Sequence, residues 1–98
     1  MGIFITMKII ITESQYGRIW LLRRYKLVED SFEESFKIIN PCKFKSFDDY
    51  ERRFVHLMME ELHPEYYFID DFDYEGTKSE LKDMFYVELT ETYYERRC

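Results

Sequence analysis

The sequence predicts an α+β fold: a mainly helical single domain of about four helices with a short N-terminal strand and minor β pairing. Three observations carry that expectation. Residues Ile3 to Thr12, IFITMKIIIT, are dense in β-branched side chains, which suit a pleated strand better than a helix. Four Ser/Thr-led capping patterns, each followed by apolar residues three and four apart, mark helix starts. At 98 residues the chain supplies one hydrophobic core, and no repeat, linker or low-complexity tract suggests a second domain.

Taken in order, Met7 opens a more conventional start, MKIIIT, so residues 1–6 read as an extension that adds little to the fold. Thr12 and Gln15 form the first capping box and turn the strand directly into a helix. Along that helix Tyr16, Ile19, Trp20 and Leu27 share a face that Leu22 widens, with Leu21 outside it and Trp20 as a core anchor. Arg23 lies on the same face and must snorkel or find an acid, while Arg18, Arg24 and Lys26 form a positive edge suited to pairing with the acidic remainder. Ser31 and Glu34 make the next box, before a short helix through Phe32, Phe36 and Ile39 that Asn40-Pro41 ends.

Ser46 to Pro64 is the most strongly specified stretch. Ser46 is placed to cap the first turn with Asp49 at the box position, and Pro64 stops the helix after His63. Phe47, Tyr50, Phe54, Leu57, Met58 and Leu62 recur along one side and predict the core face. Asp48 to Arg52 and Asp49 to Arg53 are acid-before-base pairs on the exposed side. After it, Tyr66 to Ile69 is the best strand partner for the N-terminal run, and Asp70 to Gly76 reads as an acidic loop. Thr77 and Glu80 form the last box, launching a helix through Leu81, Met84, Phe85, Leu89 and Tyr93 to about Arg96; residues 85–93 also alternate as a strand would, and the closing Arg96 and Arg97 favour helix.

Charge is unevenly distributed. Met1 to Val28 holds five bases and one acid, a local charge of +4, which leaves −10 for the remainder of a chain whose net charge is −6. Between Glu60 and Glu75 lie seven acids and no Lys or Arg, a block that repels nucleic acid and favours a basic partner. Aromatics make up 19% of the chain, too many for one small core, so several tyrosines are expected at a contact surface. Cys42 and Cys98 are too few for a disulfide framework or a cysteine-rich zinc site, and reduced thiols are expected. The N-terminal apolar run lacks the basic lead of a signal peptide, and nothing approaches the roughly 20 apolar residues of a membrane span. These features together predict a cytoplasmic protein.

Catalytic chemistry finds little footing. Both histidines sit on one helix, no serine is framed by glycines, and no phosphate loop is present, so the chain reads as non-enzymatic with no cofactor. Asp71, Asp73, Glu75 and Gly76 match loop positions 1, 3, 5 and 6 of an EF-hand, but position 12 is Lys82 and Lys78 adds a second cation, leaving at most a weak ion site. Glu60 and His63 make a single Glu-x-x-His step, with His56 one turn earlier; two-metal bundles use that step twice and add further glutamates, so solvated side chains are the simpler reading. Glu51 and Glu61 fall inside the apolar arc of the central helix, where each carboxylate needs a partner: either an ion pair with Arg23 or Arg24, or a basic protein docked on an exposed face.

The expected binding surface is therefore Glu60, Glu61, Glu65, Tyr66, Tyr67, Asp70, Asp71, Asp73, Tyr74 and Glu75, with Phe68 and Phe72 interleaved. Its rings would supply desolvated contact while its carboxylates steer a basic partner. The alternative assigns the rings to the core and the acids to a solvated loop. Lys8-Ile-Ile-Ile-Thr-Glu-Ser-Gln15, followed by an amphipathic helix, resembles the openings of small proteins encoded by tailed bacteriophages. The resemblance covers about a tenth of the chain and implies a viral accessory role in the host cytoplasm, such as an anti-defence inhibitor of a basic, nucleic-acid-binding host protein. It implies no direct contact with nucleic acid or membrane. A homodimer, a structural virion component and a weak metal-binding protein are the competing readings.

Overall fold

The computed structural model describes residues 13–98, with side chains from residue 17. The described residues form five α-helices: α1 (Glu13–Arg23), α2 (Tyr25–Ile38), α3 (Phe47–Leu62), α4 (Tyr74–Met84) and α5 (Tyr86–Tyr94). Short 3-10 turns at Pro41–Lys43 and His63–Glu65 flank α3. No strand occurs among the described residues, so the α+β expectation is corrected to an all-α fold. The proposed strand Ile3 to Thr12, and Thr12 as a cap, lie outside the described residues.

The second proposed strand fails for a local reason. Pro64 occupies the first turn of the 3-10 segment, where its missing N–H costs nothing. The chain keeps winding beyond it, with Tyr66 N and Tyr67 N both donating to His63 O, at 3.1 and 3.0 Å, and Ile69 N donating to Tyr66 O at 3.0 Å. These short-range bonds satisfy the amides that a strand would have to pair across a sheet. Tyr66, Ile69 and Phe72, spaced by three, pack inward as a result.

α3 forms where the sequence placed it. Ser46 Oγ accepts from Asp49 N at 3.2 Å, Asp48 and Asp49 occupy the first turn, and Tyr50, Phe54, Met58 and Leu62 are buried. Its buried arc is wider than the apolar stripe predicts, because Val55 and Met59 are also fully enclosed. A helix packed by several neighbours needs that width: α2, α4 and α5 all contact α3. Phe32 stacks on Phe85 with centroids 4.3 Å apart and meets Phe54 at 5.2 Å, while Tyr50 stacks on Tyr93 at 5.6 Å.

Two helix boundaries depart from the capping patterns. Ser31 caps nothing; it lies mid-way along α2, where its buried hydroxyl reaches Met58 O at 3.4 Å and Glu61 Oε1 at 3.5 Å. The break falls instead at Arg24, between α1 and α2, where φ and ψ leave the helical basin. Thr77 is likewise buried inside α4, and the true cap is Asp73, whose Oδ1 accepts from Gly76 N at 2.9 Å. A serine or threonine three residues before an acid is ambiguous wherever a buried acceptor, or close packing, can hold the hydroxyl within the helix. The last helix is interrupted at Phe85, giving α4 and α5 in place of one element.

α1 turns Gly17, Trp20 and Leu21 inward, whereas Ile19 and Leu22, and Leu27 on α2, are exposed. The expected face is thus rotated, and Leu21 belongs to the core. The cause is the crossing with α4: a Cβ on Gly17 would lie 3.1 Å from Thr77 Oγ1 and 3.2 Å from Thr77 Cα and N. Two backbones approach this closely only where a side chain is missing. Gly17→Leu is expected to wedge the helices apart and destabilise the fold by roughly 1 to 3 kcal/mol. An unchanged denaturant midpoint for that variant would rule out the crossing.

Cys42 and Cys98 form a disulfide across 56 residues, with Cα atoms 5.7 Å apart, which corrects the expectation of reduced thiols. Tyr93 brings the two segments together: its hydroxyl donates to Phe44 O at 3.0 Å, tying the end of α5 to the chain just after the first 3-10 turn.

Candidate protein-binding surface

The segment from Glu60 to Glu75 runs off the end of α3, through the 3-10 turn and into the first turn of α4. Its aromatic residues divide into two groups. Tyr66, Phe72 and Tyr74 are partly buried and pack against the core: Tyr66 stacks on Phe72 at 4.5 Å, Trp20 meets Phe72 edge-on at 4.9 Å, and the Tyr66 hydroxyl donates to Met59 O at 3.1 Å. Burial pushes the Tyr66 phenol above its ordinary range, reinforced by Tyr74 and Glu60. Tyr67 and Phe68 face outward, 67% and 66% exposed. For Tyr66 and Tyr74, then, the core alternative describes the observed packing.

The acids divide in the same way. Asp73 serves as the α4 cap, and Gly76 is helical, so the sharp glycine turn of an EF-hand loop is replaced by the start of a helix. Asp71 sits at φ 58°, in the left-handed region, and turns the chain ahead of the cap. Asp70, Asp71 and Glu75 are exposed. Glu75 reaches Lys78 Nζ at 3.5 Å and Glu60 reaches His56 Nε2 at 2.7 Å, both on the outer surface, where such pairs contribute little to stability. Among the described residues no group of three His, Cys, Asp or Glu side chains is arranged to hold a metal.

Neither carboxylate within the α3 arc pairs with Arg23 or Arg24. Glu61 Oε1 accepts from Ser35 Oγ at 2.8 Å. Arg24 lies over the Trp20 ring at 4.4 Å and approaches Glu65 at 3.9 Å, while Arg23 is exposed. Partial burial raises the Glu51 pKa; Lys82 opposes the shift, and Asp48 and Asp83 add to it. The positive edge does pair with the acidic remainder at Arg18, whose Nε is 2.8 Å from the nearly enclosed Glu80 carboxylate.

A cleft of about 300 Å³ lies where the end of α3 meets α2. Glu61 and Glu65 contribute to it from the predicted surface, and Asp30 and Glu34 face them from α2, over Leu27, Leu62 and Pro64. Four carboxylates around an apolar floor suit a basic side chain that carries a long methylene stem. No protein-family model, curated protein or solved structure matches the chain. Its own chemistry therefore carries the functional reading. Sequence reasoning missed the α2 half of the cleft, although Leu27, Asp30, Ser31 and Glu34 repeat at helical spacing; a helix start assigned to Ser31 cut that stripe in two.

Proposed function

We propose that the protein is a non-enzymatic binding module that engages a basic protein through the outward-facing part of Glu60–Glu75 and the acidic cleft beside it. One observation supports this most directly: Tyr67 and Phe68 are two-thirds exposed, in the same short connection as the exposed Asp70 and Asp71. Large rings left in water at an acidic rim match the anatomy of a contact with a desolvated centre and charged surroundings. A role as a phage accessory protein that inhibits a nucleic-acid-binding host protein is the specific form of this reading. Among the described residues no helix is long and apolar enough to cross a membrane. A host-cytoplasm setting would have to accommodate the Cys42–Cys98 bond, because reducing compartments disfavour such bridges.

The test is affinity capture from host lysate at low and high salt, with and without reductant. It compares wild type with two variants: Asp70, Asp71 and Glu75 changed to amides, and Tyr67→Ala/Phe68→Ala. Asp73 is left intact because it caps α4. Wild-type capture of a basic protein is expected to weaken as salt rises, and each variant to lose about tenfold or more in affinity. Folded variants that retain every partner at unchanged affinity would refute the proposal. Capture of the protein itself would point instead to a homodimer.

A further inference from the structure

A second cleft, between the first half of α3 and α4, carries the opposite charge. Arg52, Arg53 and His56 from α3 and Lys78 from α4 line about 290 Å³, with Asp49 as the one carboxylate in the wall. Three permanent cations converge there in a chain whose net charge is −6. Packing does not demand this arrangement, since the side chains of Arg52 and His56 are 67% and 47% exposed and Arg53 is exposed as well.

Nearby acids meet only part of the charge. Arg52 Nη1 is 3.6 Å from Asp49, Lys78 Nζ is 3.5 Å from Glu75, and His56 Nε2 is 2.7 Å from Glu60. Arg53 has no carboxylate at salt-bridge distance among the described residues. Glu60 and Glu75 are 54% and 80% exposed, so a stronger anion displaces them at small cost. Lys78 is better fixed: its side chain is 21% exposed, and the ammonium stands 5.4 Å from the centre of the Tyr74 ring. Both groups of donors project from helices that pack against one another, so the fold holds the spacing between them.

We propose that this cleft binds a small phosphate-bearing ligand, the phosphate seated between the Arg53 guanidinium and the Lys78 ammonium, with Arg52 and His56 as flanking donors. A planar guanidinium and a compact ammonium together match a phosphate's several acceptor oxygens. The volume suits a monophosphate with a small organic part. A nucleic-acid strand fits poorly, because Glu60 and Glu75, paired with His56 and Lys78, repel an extended polyanion.

An isotope-edited NMR titration of the full chain tests this, using inorganic phosphate and glycerol 3-phosphate at an ionic strength held constant with chloride. Saturable shifts confined to Arg52–His56 and the surroundings of Lys78 are expected, and the tighter ligand tells free phosphate from an ester. Arg53→Gln is expected to weaken binding about tenfold, and Lys78→Gln, on the other helix, to do the same. Asp49→Asn removes the opposing charge and is expected to strengthen binding several-fold, a gain that a misfolded variant would not give. Shifts that grow linearly without saturation, equal shifts at Lys43, Lys45 and Arg97, or an Arg53→Gln variant that titrates as wild type would each overturn the proposal.

Discussion

Phe54→Ala lowers the stability of the protein by about 3 to 5 kcal/mol, the cost of removing a fully enclosed ring from a core that cannot close over the gap. Phe54 has no exposed surface and lies between Phe32 and Tyr50, at 5.2 and 5.8 Å. Phe32 in turn leans on Phe85, so the vacancy loosens α2, α3 and the junction of α4 with α5 together. For a domain of this size the melting temperature should fall on the order of 20 °C. Thermal and denaturant unfolding of the variant measure this directly; a midpoint within a degree or two of wild type would mean that Phe54 is not part of the core.

Loss of the Cys42–Cys98 bond is the second large effect. Cutting a cross-link over 56 residues restores loop entropy to the unfolded chain, and the chain-entropy relation puts the destabilisation at about 4 kcal/mol. A Cys42→Ser/Cys98→Ser variant should therefore unfold at markedly lower denaturant, and adding reductant should bring wild type down to the same midpoint. The variant itself should be indifferent to reductant. If reductant leaves the wild-type midpoint where it was, the bond contributes nothing to the folded state.

How far the fold could be read in advance differed from element to element. α3 was legible because three local signals agree there: a serine cap, apolar spacing at the helical period, and a proline at the end. The rotation of α1 was not, since the choice of Leu21 over Ile19 as the buried residue depends on Gly17 meeting Thr77, sixty residues away in sequence. A single disulfide is equally non-local, because spacing shows only that two cysteines exist and not that Tyr93 draws their segments together. On the candidate surface, charge was readable and exposure was not. Tyr66 and Tyr67 are neighbours of one residue type, yet the first packs against Trp20 and Phe72, partly buried, while the second is left in water.

The serine pair on α2 bears on how α2 and α3 are aligned lengthwise. Apolar contact is non-directional, so sliding one helix along the other by a turn of about 5.4 Å would exchange one set of hydrophobic neighbours for another of similar worth. Ser31 and Ser35 do not permit the exchange. Both are buried, and both hydroxyls reach a single carboxylate oxygen of Glu61, with Ser31 also touching Met58 O. A one-turn slip would carry one serine into the other's place and leave the second hydroxyl without its partner in the interior, at about 1 to 3 kcal/mol. The pair thus acts as a vernier: it adds little net binding between the helices but selects one axial register, and that register sets Asp30 and Glu34 opposite Glu61 and Glu65 across the acidic cleft.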